Sequence, residues 1–426
     1  MTADTIYALS SGSPPAAIAV VRISGPGADG ALRRLAGRLP PPRVATLARL
    51  REPDGEPLDS ALVLRFPGPA SATGEDVTEL HLHGGRAVVA GVLDALGRLA
   101  GLRPAAPGEF TRRAFENGRL DLAEAEGLAD LLAAETRSQK RAALALAGGA
   151  LSRRIADWQG RILALSARLE ATIDFSDEGE VGEGLPQGWA TALAAVSHEI
   201  AESLERPAAE RLRDGVRIVV AGPPNAGKSS LINSLCGRDV AITSPSAGTT
   251  RDVLEAPLAM GGRPVLLVDT AGLRESEDPV EQAGVERAGR QMAVADIILW
   301  LGLPAECPDA ERAILIQAKS DVSEPDPAAE LRVSVVTGEG LDALANALST
   351  RAAELLPQEG EVALNARHRS ALAEAMEGLS LAGGSGDPLI CAEGLRHARH
   401  ALDRVTGRAG LEDMLDTLFG SFCIGK

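Results

Sequence analysis

The chain has 426 residues, 45% hydrophobic and 24% charged, an ordinary globular balance that gives room for two to four domains with real cores. Its formal net charge of −16 excludes nucleic-acid binding through overall basicity, so any contact with RNA or DNA must come from a local patch or a partner. Four scattered cysteines with no C-x-x-C pair argue against a zinc site or disulfide framework. With no signal pattern and no run of about 18 apolar residues, they predict a protein of the reducing cytoplasm, off the membrane.

Residues 1–119 depart from the whole, with 14 Arg against 12 acids. Stretches 17–23 and 61–66 read as strands and 87–99 as a helix, which predicts an α+β domain. From 120 to 213 apolar residues recur at three-and-four spacing, as in Ile155, Ile162, Leu165 and Leu169, and predict helices. The glycine- and acid-rich stretch 177–188 reads as a loop between them. Over 214–356 strands alternate with helices, with strand candidates at 216–220, 265–268, 297–301, 314–316 and 331–335. That alternation predicts a doubly wound, mostly parallel sheet. After Pro357 the helical texture returns and continues to 426. The simplest architecture is α/β plus α: a nucleotide domain inserted in a helical domain whose parts, 120–213 and 357–426, flank it.

The strongest chemical signal is Gly222-Pro223-Pro224-Asn225-Ala226-Gly227-Lys228-Ser229-Ser230, which fits G-x-x-x-x-G-K-[ST] between a predicted strand and a predicted helix. Backbone N–H groups there would cradle phosphates, Lys228 would reach the β- and γ-phosphates, and Ser229 would hold Mg²⁺. Further GTPase pieces follow in order. Gly248-Thr249-Thr250-Arg251-Asp252 supplies threonines for the nucleotide, with Thr250 for Mg²⁺ and the γ-phosphate. In Asp269-Thr270-Ala271-Gly272 the Asp would hold a metal-bound water and the Gly272 N–H would sense the γ-phosphate. Lys319 and Asp321 would frame the base, Asp321 reading the guanine N1–H and N2–H₂ donors, with Ser334 in the last loop. The chain has only four lysines, and Lys228 and Lys319 fall within these motifs.

Two departures matter. Ala318 stands where an Asn would tie the base to the phosphate loop, a loss of about 1 kcal/mol of nucleotide affinity. Leu273 stands where Ras-like proteins carry a water-positioning Gln, and leucine cannot orient water.

The chain resembles the MnmE (TrmE) family of tRNA-modification GTPases along essentially its whole length. The likeness rests on Val21-Arg22-Ile23-Ser24-Gly25, Thr73-Gly74-Glu75-Asp76-Val77 with His81-Leu82-His83-Gly84-Gly85, Pro107-Gly108-Glu109-Phe110 with Arg113-Ala114-Phe115, Asn117-Gly118-Arg119-Leu120-Asp121-Leu122, the GTPase set, and Phe422-Cys423-Ile424-Gly425-Lys426. The resemblance implies an N-terminal folate-binding and dimerisation domain, a helical domain and an inserted GTPase domain. It implies a homodimer that works with the FAD-dependent partner MnmG. Together they would use a tetrahydrofolate one-carbon unit (5,10-methylene or 5-formyl form) to add an aminomethyl-type group at C5 of the tRNA wobble uridine. Asn225, Thr249 and the carbonyls of Ser244 and Ser246 would bind K⁺, and Glu281 would orient the attacking water. Folate contacts map to Arg22, Glu79, Arg119 and Lys426, with Arg119 where Lys is expected. Cys423 near the one-carbon donor suggests nucleophilic or redox work, or else a small buried hydrophobe. His81 and His83 lack a carboxylate or Cys cluster and are not read as metal ligands.

Two other readings stay open from sequence: an Era-like ribosome-assembly GTPase switch, and a GTP-regulated scaffold without catalysis. The first needs a basic appendage, and residues 357–426 hold seven Lys/Arg against ten acids.

Overall fold

The structure is a computed structural model that describes residues 4–52, 54–174, 185–238, 240–241, 255–269, 289–358, 361–408, 412–420 and 422–425. The chain forms two compact units, residues 1–129 with 406–426, and residues 130–405.

In the first unit six strands form one sheet: β1 (Thr5–Leu9), β2 (Ile18–Ser24), β3 (Thr46–Arg51), β4 (Pro57–Phe66), β5 (Val77–His83) and β6 (Leu102–Pro104). Their order is β3-β4-β5-β2-β1-β6, parallel only at β1–β6. Side chains alternate between sheet faces. Val21, Ile23, Leu80, Leu82, Val63 and Leu50 therefore share one face, where they pack with Leu32 and Leu35 of the helix Ala28–Ala36 and Val92 and Leu96 of the helix Arg86–Gly97. Arg22 and Glu79 lie on the opposite face. The strands expected at 17–23 and 61–66 and the helix at 87–99 are present. Strand β3 was hidden in the sequence by its three polar positions, and β6 by its length.

In the second unit seven strands run β13-β12-β11-β7-β10-β9-β8. They are β7 (Val216–Ala221), β8 (Val240–Ala241), β9 (Glu255–Met260), β10 (Arg263–Asp269), β11 (Ile297–Trp300), β12 (Ala313–Ala318) and β13 (Leu331–Val333). The five strands from β13 to β10 are parallel, and β9 and β8 add an antiparallel edge. One face packs Ile218, Val220 and Leu267 against Leu231 and Leu235 of the helix Lys228–Arg238 and Leu344 and Leu348 of the helix Leu341–Leu355. The other face buries Val219, Val268 and Ile298 with Ala295. The expected 331–335 strand stops at Val333 because the Ser334 hydroxyl accepts from the N–H groups of Val336 and Thr337, turning the chain. Pro257 hid β9 in the sequence; among the described residues β8 pairs with Leu258 and Ala259.

Helices precede and follow this sheet, and the two flanks meet. Ala209 N–H donates to Leu364 O at 3.0 Å, Ala366 N–H to Glu210 Oε1 at 2.6 Å, and the Arg369 guanidinium to the Arg206 carbonyl at 3.1 Å. The helix Trp189–Glu205 packs against the helix Ala366–Gly384. This is the expected insertion of a nucleotide domain between two helical parts. A second tie links the helix Arg137–Ala147 to the β9–β10 turn: Ser138 donates from N–H and Oγ to Gly262 O, both at 3.1 Å. Among the described residues no helix is long and apolar enough to cross a membrane.

The helices Ala366–Gly384 and Pro388–Thr406 cross with unusually close backbones. A Cβ at Gly378 would lie 2.7 Å from Ala398 N and from Gly394 O. Helix separation at a crossing is set by the side chains there, and overpacking such a contact costs about 1–3 kcal/mol. Gly378→Val is therefore expected to lower unfolding stability by about 2 kcal/mol, read by urea denaturation. Gly378→Ser in the same titration should cost less. Unchanged midpoints for both would refute the close crossing.

Candidate nucleotide site

The phosphate-loop motif lies at the carboxyl end of the central strand β7, where α/β sheets bind ligands. Gly222 takes φ 142°, and a Cβ there would meet the Leu301 carbonyl carbon at 3.0 Å, so only glycine fits. Asn225 takes φ 62°, a left-handed conformation that Asn tolerates better than most residues. Gly227 follows at φ 100°, and the helix Lys228–Arg238 begins at once. Lys228 is nearly buried, and its ammonium donates to the carbonyls of Gly222 at 3.0 Å and Pro223 at 2.8 Å. Ser229 and Ser230 are exposed at the helix start, beside the half-buried Ala226.

Strand β10 pairs in parallel with β7, setting Asp269 opposite Val220. Ser229 Oγ then donates to Asp269 Oδ2 at 2.8 Å, joining two motifs forty positions apart in sequence. Asp269 is buried. A hydroxyl and a carboxylate in contact supply hard oxygens suited to Mg²⁺ alongside phosphate, and the N–H groups of the helix start suit an anion. The donor set present thus fits a Mg²⁺–nucleotide.

The base end lies beyond β12. Lys319 takes φ 57°, and its ammonium donates to Asn225 O at 2.8 Å. Lys319 thus links this loop to the phosphate loop, while position 318 packs toward Gly227, whose added Cβ would stand 4.0 Å from Ala318 Cβ. Asp321 is exposed in the loop after β12. Ser334 is fully buried, and the two base-side loops are stitched by Ser320 Oγ donating to Glu339 Oε2 at 3.0 Å and by Ser334 N–H donating to Glu339 O at 3.0 Å. Sequence reading missed Glu339.

In the first unit Arg22 and Glu79 are opposed on β2 and β5, and the guanidinium donates twice to Glu79 Oε1, at 3.1 and 2.9 Å. Arg22 also sits 5.8 Å over the Phe110 ring. Arg119 is exposed after the helix Glu109–Glu116, on a separate segment beside Gly74. Cys423 is exposed, with its carbonyl 3.5 Å from the Gly108 N–H, and Ile424 bridges to Pro107. Sequence reading missed a charged network beside these residues. Arg113 donates to Asp4, Glu75 and Glu109, and Arg103 to Asp4 and Glu109, around a cavity of about 860 Å³. The motifs Thr73–Val77, Pro107–Phe110 and Arg113–Phe115 carried Glu75, Glu109 and Arg113 without linking them. Ser244, Ser246, Thr249, Thr250, Thr270, Ala271, Gly272, Leu273, Glu281 and Lys426 lie outside the described residues.

Burial alone would push the Glu109 carboxyl up, but hydrogen bonds from Arg103, the Ala106 N–H and Arg113 outweigh it and hold the group below the usual carboxylate range. A depressed carboxylate stabilises the fold above its unfolded value and loses that contribution as pH falls through the folded value. Thermal stability should therefore drop on acidification below about pH 4.5, and Glu109→Gln should flatten part of that drop. An identical pH profile for the variant would refute it. At the nucleotide site, Lys319→Ala removes a charge-assisted hydrogen bond worth about 1.5–3 kcal/mol. Nucleotide affinity should fall at least tenfold by fluorescent-analogue titration, whereas a loss under twofold would show the tie to be incidental.

Comparison with known proteins agrees with this arrangement. A family model described as the MnmE helical domain matches residues 122–423, and one described as the GTP-binding protein TrmE N-terminus matches residues 5–119. A relative from Rhizorhabdus wittichii, named tRNA modification GTPase MnmE, is 60% identical over 99% of this chain and 97% of its own length. Relatives of the same name from Erythrobacter litoralis and Sphingopyxis alaskensis are each 57% identical, over 99% and 95% of this chain and 100% of their own lengths. The chain belongs to the MnmE family of tRNA modification GTPases.

Proposed function

We propose that the chain hydrolyses GTP in the service of tRNA modification. The observation that carries this reading is the Ser229–Asp269 hydrogen bond beside the Lys228 ammonium at the carboxyl ends of β7 and β10. Lys228 places its charge against the β- and γ-phosphate oxygens. The loop N–H groups hold the phosphates in line, and Asp321 accepts from the guanine edge. Ser229, Thr250 and, through water, Asp269 hold Mg²⁺, which neutralises phosphate charge when bound. Asn225, Thr249 and the carbonyls of Ser244 and Ser246 hold K⁺, which adds positive charge where an arginine finger acts elsewhere. Glu281 orients the attacking water, the task Leu273 cannot perform.

The family relationship and the first unit support the rest of the reading. Arg22, Glu79, Arg119 and Lys426 bind a tetrahydrofolate derivative that supplies the one-carbon unit, and Cys423 lies close enough in sequence to that tail to take part. The sheet face of Arg22 and Glu79 also carries Ile18, 61% exposed, and Leu62, 39% exposed, which supports a homodimer through this unit. The flavoprotein MnmG completes the modification of the wobble uridine. The four domains, 1–119, 120–213, 214–356 and 357–426, divide these tasks.

GTP and ATP turnover in KCl against NaCl at equal ionic strength tests the core of the reading. GTP-specific turnover raised several-fold by K⁺ is expected. Glu281→Ala should lower it by about 10²-fold or more, the scale of a lost base or water-positioning group, with nucleotide binding intact. Equal turnover in both salts would remove the K⁺ assignment, and full activity of Glu281→Ala would remove that of Glu281.

A further inference from the structure

Residues 30–51 carry Arg33, Arg34, Arg38, Arg43, Arg49 and Arg51 and no acidic residue, in a chain of net charge −16. The fold gathers four of them. Arg34 leaves the last turn of the helix Ala28–Ala36, Arg38 follows the left-handed Gly37 cap, and Arg49 and Arg51 point to one side of β3. They line a groove of about 610 Å³ beside the free edge of the first sheet. The groove's acid, Glu52, is already engaged by Arg98 at 2.6 Å. All four arginines are exposed.

Two ordinary explanations fall short. Cations near a helix carboxyl end complement its dipole, which accounts for Arg33 and Arg34. One or two charges on an edge strand deter edge-to-edge pairing, which accounts for Arg49 or Arg51. Neither explains why Arg38, outside the helix, joins both sets in one groove. Four guanidinium groups of one sign repel each other, and an anionic polymer relieves that repulsion. Their planar forks match phosphate oxygens in pairs.

We propose that this groove docks the phosphate backbone of the tRNA, a proposal that rests on the tRNA-modification reading. Such contacts position the RNA without reading its sequence. They give a local cationic patch to a chain whose overall charge opposes RNA binding.

The test is binding of a tRNA transcript to the full chain between about 50 and 200 mM KCl. Arg34→Gln with Arg49→Gln should weaken binding about tenfold at low salt and make the log–log salt slope shallower by about two. Arg34→Lys with Arg49→Lys should recover most of the affinity. Arg137→Gln with Lys140→Gln, an equal charge change on an exposed face of the second unit, should leave binding unchanged. GTP turnover without RNA should be the same in all. An unaltered slope in the Gln pair overturns the proposal and leaves the groove to an acidic protein surface. An equal loss in the control pair overturns it in favour of diffuse attraction. A chain that turns over GTP yet binds no tRNA overturns the groove alone, whereas absent GTP turnover with intact RNA binding overturns the GTPase reading and spares the groove.

Discussion

The parallel register of β7 and β10 sets Asp269 opposite Val220, and the nucleotide site depends on that pairing. A slip of one residue would turn Asp269 to the other face of the sheet and break its contact with Ser229. The register is held by a fully buried apolar stripe on both faces: Ile218, Val220 and Leu267 on one, Val219 and Val268 on the other. The chemistry is therefore fixed by core packing. Burying Asp269 without partners would be costly, so the Ser229 hydroxyl serves the fold by bonding to it.

Lys319 extends this logic to the base end. Its ammonium reaches a carbonyl of the phosphate-loop motif, so the loop after β7 and the loop after β12 are joined directly. The buried Ser334 and the Glu339 contacts stiffen the base side from below. These contacts set both described loops in place before a nucleotide arrives, and ordering done in advance lowers the entropy lost on binding.

Local signals and long-range ones differed in legibility. The phosphate loop was readable because its chemistry is contiguous: glycines at fixed offsets, one lysine, one serine. The central strands were readable because burial on both faces makes them continuous apolar runs, as in β7 and β10. Strands β3 and β9 were not, since the edge position of β3 admits Arg49 and Arg51, and Pro257 interrupts β9 next to the short β8. The substitution at Ala318 was legible as a loss, but the Lys319–Asn225 contact beside it was not. Whether Lys319 reaches Asn225 depends on a left-handed backbone at 319 that no single residue type announces. The Asp4–Glu75–Arg113 network was invisible for the same reason, because its members come from three distant segments.

The nucleotide domain is fastened to the helices over a face: among the described residues Leu212 and Ala142 pack into its core, Arg211 pairs with Asp296 at 2.9 Å, and Ser138 holds Gly262 at the β9–β10 turn. Contacts spread in this way leave no single axis free, so a swing of the nucleotide domain about its entry and exit at Ala209 and Leu364 would have to break the Ser138 contact and the Arg211 pair together. Asp269 and Gly262 sit at opposite ends of β10, about 20 Å apart along an extended strand. The strand thus acts as a lever whose near end is gripped by a helix and whose far end holds the phosphate chemistry.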